Sequence, residues 1–202
     1  MNDSVPEPLT DSLTCTLPLE LLSQIAARLD AATFALLLRP IFGSSLPPGL
    51  FVKLRKDLAA EAVASPALRI KDDQDDFCVF DPQTQSIDIK REALDLTLEY
   101  PEQNAQLLMA LIAAFALYID ARVRGYFAEA QADDATQTLM STPADLGAQF
   151  TEFLLFYANP IESDTVFAHY TRSGDEHRLL LTKVERPTAV AFVSGKGEEK
   201  KP

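Results

Sequence analysis

The sequence is poor in the residue types that carry out most enzyme chemistry. Its 202 residues include two histidines, two cysteines and no tryptophan. A catalytic zinc site normally takes three protein ligands of the histidine, cysteine or carboxylate type, and two histidines leave little choice for such a set. The sequence also lacks a GxSxG elbow and the glycine patterns that cradle phosphates. We therefore expect no cofactor, no metal site and no complete catalytic constellation.

The cysteines and the apolar segments bear on the compartment. Cys15 and Cys78 lie too far apart to form a CxxC pair, so we interpret them as ordinary buried thiols. Met1–Leu13 has neither the basic nor the apolar segment of a signal peptide. The longest apolar run, Leu107–Ile119, has 13 residues, fewer than the roughly 20 that cross a bilayer as a helix. These features predict a cytoplasmic protein without a membrane partner.

Positive charge is also scarce. The chain has 18 lysines and arginines against 30 aspartates and glutamates, a formal net charge of −12. Nucleic acids and anionic membranes are bound largely through clustered cations, so both are disfavoured as partners. A field of this sign speeds association with a basic protein. We therefore expect a protein partner with a basic surface.

The order of patterns along the chain predicts an α+β fold: helices, a small sheet, helices, then another small sheet. We expect one α+β domain over residues 15–193, with disordered ends at residues 1–14 and 194–202. Helical spacing from Pro18 to Pro40 and from Leu50 to Ala64 predicts two antiparallel helices, the first ending at Pro40.

A small antiparallel meander is expected next, from β-prone runs at residues 68–70, 77–80 and 86–90. Between the first two runs, Lys71–Asp76 carries four carboxylates, Asp72, Asp73, Asp75 and Asp76. This segment lacks the glycine and the final glutamate of an EF-hand loop, so a solvated hairpin tip is favoured over a cation site.

The central helix is predicted to begin at Pro101–Gln103 and to run to about Arg124, with Gly125 as its stop. Leu107–Ile119 is apolar on every face, which places this helix at the centre of the fold with other elements around it. The polar stretch Ala128–Ser141 is predicted to be a mobile loop. Thr142–Asp145 then caps a last helix, whose apolar face comprises Leu146, Phe150, Phe153, Leu154 and Tyr157.

Three β-prone runs close the chain, at residues 164–171, 177–185 and 188–193. Arg172–Glu176 is predicted to be the hairpin loop between the first two. This loop places His169 opposite Leu179 and not opposite His177, so the two imidazoles need not share a face.

Three segments carry a family resemblance. Phe80–Ile89 contains the phrase Asp-Pro-x-Thr-x-x-Ile, Leu111–Asp120 is an apolar helix, and Asp145–Phe150 begins the helix that follows. In this order they resemble a zinc-metallopeptidase-like region of large bacterial secreted and toxin-associated proteins. The resemblance covers roughly Phe80 to Tyr157.

The resemblance implies a glutamate and a histidine on the first helix and acids at the start of the second. The positions concerned here hold Ala113, Ala114, Leu117, Leu146 and Ala148; Asp120, Asp145, Gly147 and Phe150 are retained. The resemblance therefore implies a catalytically dead relative, in which apolar residues have replaced charged ones and their desolvation cost.

These observations favour a non-catalytic cytoplasmic binding protein, an immunity or antitoxin-type inhibitor of a bacterial toxin or secreted effector. Two alternatives stay open: a secretion chaperone or adaptor, and a metal-dependent hydrolase that uses Asp120, Asp145 and His169. Loops on a rigid scaffold commonly carry recognition. The expected partner-binding residues are therefore those of the acidic tip and the polar loop: Asp72, Asp73, Asp75, Asp76, Glu129, Asp133 and Asp134.

Overall fold

The fold is seen in a computed structural model that describes residues 11–130 and 141–181. The helices are α1 (Leu17–Arg28), α2 (Ala31–Phe42), α3 (Pro48–Ala59), α4 (Arg91–Glu99), α5 (Asn104–Ala130) and α6 (Leu146–Tyr157). The strands are β1 (Ser12–Thr14), β2 (Ala67–Lys71), β3 (Cys78–Asp81), β4 (Ser86–Lys90), β5 (Thr165–Arg172) and β6 (Asp175–Leu181). A single 3₁₀ turn, Pro101–Gln103, joins α4 to α5.

The strands form two sheets of three, which confirms the α+β class. The first sheet has the order β1-β5-β6 and is antiparallel throughout. The second has the order β2-β4-β3, and β2 runs parallel to β4. The predicted antiparallel meander is therefore wrong for β2. Residues 72–77 form no tight hairpin but carry the chain past β4, which then fills the gap between the two earlier strands.

Strand β1 corrects the predicted disordered N-terminus. Residues 12–14 pair with β5, and Leu13 is buried. A strand this short is invisible to a periodicity argument, since one buried side chain makes no pattern. Residues 1–10 of the predicted disordered N-terminus, the predicted tail at residues 194–202 and the predicted strand at residues 188–193 lie outside the described residues.

Three helices, and not two, precede the first strand of the second sheet. The apolar spacing from Pro18 to Pro40 continues across a break at Leu29, whose backbone is extended. Asp30 then caps α2, its carboxylate accepting a hydrogen bond from the Thr33 amide at 2.9 Å. Pro40 does not end α2, because Ile41 and Phe42 are buried and continue the helix into the core.

Helix α5 is longer than its sequence signals predict. It continues to Ala130, five residues beyond Gly125, because Val123, Tyr126 and Phe127 are buried and hold its last turns against the core. Residues 128–130 therefore belong to the helix and not to the predicted polar loop. The loop's next ten residues, 131–140, lie outside the described part of the chain.

The central position predicted for α5 holds for most of its surface. It contacts five other helical elements as well as β3, β4 and β6. Met109 and Leu117 are exceptions, with 50% and 38% of their surfaces exposed. Pro101–Ala130 is also long and apolar enough to cross a membrane by length and composition, and 61% of its most apolar stretch is buried within the fold. The core helix of a soluble protein meets the same test.

The β5–β6 hairpin turns over two residues, Ser173 and Gly174, both with positive φ. This is the turn geometry that two-residue hairpins prefer. Because the turn is shorter than predicted, the register moves by one residue, and His169 lies opposite Arg178 and not Leu179. The two histidines are not directly paired, as expected: His169 is exposed, while His177 lies beside the ring of Tyr170.

Candidate binding surface

The acidic segment between β2 and β3 is held in place by hydrogen bonds from its own Gln74 side chain. The side-chain amide of Gln74 donates to the carbonyl oxygens of Asp76 at 2.7 Å and of Phe77 at 3.2 Å. All four carboxylates of the segment are exposed. The segment therefore presents Asp72, Asp73, Asp75 and Asp76 on a loop with a defined internal structure.

Helix α4 brings further acids beside this loop. Glu92, Asp95 and Glu99 recur at helical spacing on one face of α4 and line a shallow groove, which also includes Asp72, Arg91 and Leu96. We call these six residues the acidic groove. Sequence reasoning missed the α4 acids because they form no run, although their spacing of three and four residues was readable as one helix face.

Arg91 is the cation within the acidic groove, and it is shared by two carboxylates. Its Nε donates to Asp72 at 2.5 Å, and its Nη1 donates to Asp11. The other oxygen of Asp11 accepts the backbone N–H of Ser173 at 2.8 Å. We call Asp11, Arg91, Asp72 and Ser173 the Arg91 clamp, because it ties together residues from four separate stretches of the chain.

The Arg91 clamp favours the ionised forms of Asp11 and Arg91. The pKa of Asp11 is lowered, first by the hydrogen bond from Ser173 and then by Arg91. The pKa of Arg91 is raised by its hydrogen bonds to Asp72 and Asp11. Arg91 is thus paired already and does not cancel the remaining acidity of the groove.

Carboxylates outnumber cations around the acidic groove. Arg172 lies 3.3 Å from Asp95, and Lys90 lies 2.7 Å from Glu92. The groups in the groove, the acidic loop with the adjoining Lys71, and their ion-pair partners comprise eight carboxylates, Asp11, Asp72, Asp73, Asp75, Asp76, Glu92, Asp95 and Glu99, against four cations, Lys71, Lys90, Arg91 and Arg172. The region therefore carries a third of the chain's formal charge of −12.

Glu129, another of the predicted partner-binding residues, does not join this surface. Glu129 is exposed on the last turn of α5. A helix rises 1.5 Å per residue, so Glu129 lies about 37 Å along α5 from Asn104. Only four residues separate Asn104 from Glu99 of the groove. Asp133 and Asp134 lie outside the described residues.

The hydrolase alternative requires Asp120, Asp145 and His169 to act together. Asp120 instead makes structural hydrogen bonds, and the other two lie on different elements. Asp120 is buried, and its Oδ2 accepts hydrogen bonds from Arg124 Nε at 2.7 Å and from the Thr142 hydroxyl at 2.6 Å. Thr142 therefore binds a residue of α5, and the prediction that it caps α6 is wrong. Asp145 precedes α6, and His169 is exposed on β5. Within residues 11–130 and 141–181, no group of three histidine, cysteine or acidic side chains is placed to hold a metal ion.

Among the positions singled out by the family resemblance, Ala113 and Gly147 lie where α5 and α6 touch, whereas Leu117 and Ala148 are exposed. A Cβ added to Gly147 would lie 3.0 Å from the Cβ of Ala113, closer than side chains normally approach. Ala114 and Leu146 are buried in the core. Small residues at this contact let the two helix backbones approach closely, which leaves no room there for larger polar side chains.

Neither cysteine is a ready nucleophile. Cys15 and Cys78 are both free and largely buried, and burial raises the pKa of each thiol to about 12. A thiol with so high a pKa is almost entirely protonated at neutral pH.

Comparison of the chain with protein-family models, with curated proteins and with solved structures finds no match. The resemblance to a zinc-metallopeptidase-like region stays a prediction from the sequence.

Proposed function

We propose that this protein is a non-catalytic binding protein whose acidic groove takes a basic segment of a protein partner. The observation that carries the proposal is the convergence of two acidic elements, the pinned loop at residues 72–76 and the acidic face of α4, around an arginine that is already paired. The groove thereby offers an excess of negative charge on elements held in place by the fold.

The chemistry of the groove suits lysine and arginine side chains. Glu92 and Glu99 are exposed, so an incoming cation can reach them without a large desolvation cost. Leu96 is half-buried between them and offers an apolar surface for the methylene stem of a long basic side chain. Charge supplies the rate and specificity of association, and apolar contact supplies part of the affinity.

The more specific form of the proposal is a cytoplasmic immunity or antitoxin-type inhibitor. It is supported by the high negative charge and by the resemblance to toxin-associated proteins. A secretion chaperone or adaptor would use the same groove. The two differ in the state of the bound partner, which is folded and inhibited in the first case and export-ready in the second.

The test uses the product of the neighbouring gene, co-expressed and purified with this chain. The variant Glu92→Lys/Glu99→Lys reverses two charges in the groove, and Glu152→Lys/Glu162→Lys reverses two exposed charges elsewhere. We expect the groove variant to lower the association rate constant by about tenfold or more at low salt, with a smaller loss at high salt. The control variant is expected to lower it by no more than about threefold.

Equal losses for the two variants would show that net charge, and not the groove, governs association. A neighbour product that does not bind, or whose toxicity is unaffected, would overturn the immunity form of the proposal. Hydrogen exchange of the bound partner separates the two binding forms, since an inhibited toxin keeps its protected amides and an export-ready one does not.

A further inference from the structure

Strand β1 is short, and besides pairing with β5 it packs against β2. It has three residues, all paired with β5, at Ser12 to Thr171, Leu13 to Tyr170 and Thr14 to His169. Leu13 is its one buried side chain. The helix that follows is anchored far better, since α1 buries six residues beginning at Leu17.

Charged contacts at one end supply much of the rest of the attachment. Asp11 lies directly before β1, and only 14% of its side chain is exposed. One carboxylate oxygen meets Arg91 at the start of α4, and the other accepts the Ser173 N–H in the β5–β6 turn. Arg172 also faces Asp11 from β5, while Asp72, Asp95 and Tyr170 surround the two arginines.

We infer that β1 is a detachable strap that the Arg91 clamp locks onto β5, and that it opens without unfolding the rest of the molecule. Elements with few buried contacts open at a lower free-energy cost than the core, and they do so as local units. Here the opening stops where the buried residues of α1 begin. This inference is independent of the proposed function.

Opening has two direct consequences. The backbone edge of β5 that pairs with β1 becomes unpaired, and Leu13 leaves its buried position. Arg91 also loses one of its two carboxylate partners and keeps Asp72. The strap therefore changes the charge balance beside the acidic groove when it opens, through a residue that belongs to both.

Amide hydrogen exchange, measured residue by residue by NMR on the full chain, tests the inference. The variant Asp11→Asn removes the charge and leaves a side chain of the same size. Asp145→Asn is the matched control, because it makes the same chemical change at an exposed residue that precedes α6. We expect Asp11→Asn to speed exchange at residues 12–14 by about tenfold, with exchange in α5 unchanged. The control is expected to change neither.

Salt provides a second measurement. Raising the salt from about 0.05 to 0.5 M is expected to speed β1 exchange several-fold in the wild type and to have little effect in Asp11→Asn, whose clamp is already broken. Unchanged exchange at residues 12–14 in Asp11→Asn would overturn the inference. Exchange that rises by the same factor in β1 and α5 would also overturn it, because that result describes global unfolding.

Discussion

The contact between α5 and α6 allows a prediction in which two glycine substitutions change stability in opposite directions. Gly147 faces Ala113 across the helix contact, and a Cβ there would lie 3.0 Å from the Ala113 Cβ and 3.4 Å from its Cα. Gly125 lies within α5 with nothing within 4 Å of its added Cβ. Both glycines lie in helices, so the effects of changing them to alanine differ mainly through the space available for the added methyl group.

The magnitudes follow from two opposing effects. Alanine in a helix is favoured over glycine by roughly 0.5–1 kcal/mol because less backbone entropy is lost on folding. Overpacking a close contact costs typically about 1–3 kcal/mol. We therefore expect Gly125→Ala to raise the free energy of unfolding by about 0.5–1 kcal/mol. Gly147→Ala is expected to lower it by about 1 kcal/mol.

Urea denaturation followed by circular dichroism gives both values, and thermal unfolding gives a second measure. A change of 1 kcal/mol shifts Tm by about 2–4 °C in a protein of this size. Ala113→Gly in the Gly147→Ala background returns the missing space. The double variant is expected to be more stable than the sum of the two single changes, with a coupling of about 1 kcal/mol.

If Gly147→Ala stabilises the protein as much as Gly125→Ala does, the reasoning is refuted. That result would mean that α5 and α6 can move apart to admit a methyl group without any loss of stability. A coupling of zero between positions 113 and 147 would refute it separately.

Three further predictions concern buried and titrating groups. Asp120→Ala is expected to cost about 3 kcal/mol, because Asp120 is buried and pairs with Arg124; Asp145→Ala, at an exposed position, should cost well under 1 kcal/mol by urea denaturation. The pKa of Asp81 falls to about 2, first through the hydrogen bond from Thr84. Because the pKa of Asp81 is lower in the folded state than in the unfolded state, its stabilisation is present above about pH 4 and is lost as the pH falls toward 2. Asp81→Asn should flatten the dependence of the unfolding free energy on pH between pH 4 and 2. An unchanged dependence would contradict the lowered pKa of Asp81. Burial raises the pKa of Tyr126 to about 12, and its hydroxyl donates to Asp57 at 2.6 Å. The stability it contributes is present below pH 10 and is lost as the pH rises toward 12. Tyr126→Phe should cost about 1 kcal/mol at pH 7 and remove a tyrosine that ionises near pH 12 in an ultraviolet titration.

Periodicity predicts the helices well where apolar residues repeat over several turns. The apolar face expected for α6 is largely the buried one, and α5 lies at the centre as its unbroken apolar run indicates. The end of α5 was missed because Gly125 is a common stop signal, whereas burial of Tyr126 and Phe127 continues the helix past it. The cost of glycine within a helix, about 1 kcal/mol, is outweighed by the free energy gained when these two aromatic side chains are buried.

The candidate site was predictable only in part. The run Asp72–Asp76 is visible as a cluster of like charges, so half of the acidic surface was found from the sequence. The other half depends on the position of α4 beside that loop, which follows from β4 lying between β2 and β3. Pairings across 80 residues, such as that of Asp11 with Arg91, leave no periodic signal in either segment.

The Arg91 clamp also bears on the order in which the chain folds. It joins positions 11, 72, 91 and 173, so it cannot form until both sheets and the start of α4 are in place. Contacts between residues so far apart in sequence require long loops to close, and the entropy cost of that closure makes them form late in folding. Interactions that form after the transition state slow unfolding while leaving the folding rate unchanged. We therefore expect the clamp to slow unfolding more than it speeds folding, and so to lengthen the lifetime of the native state.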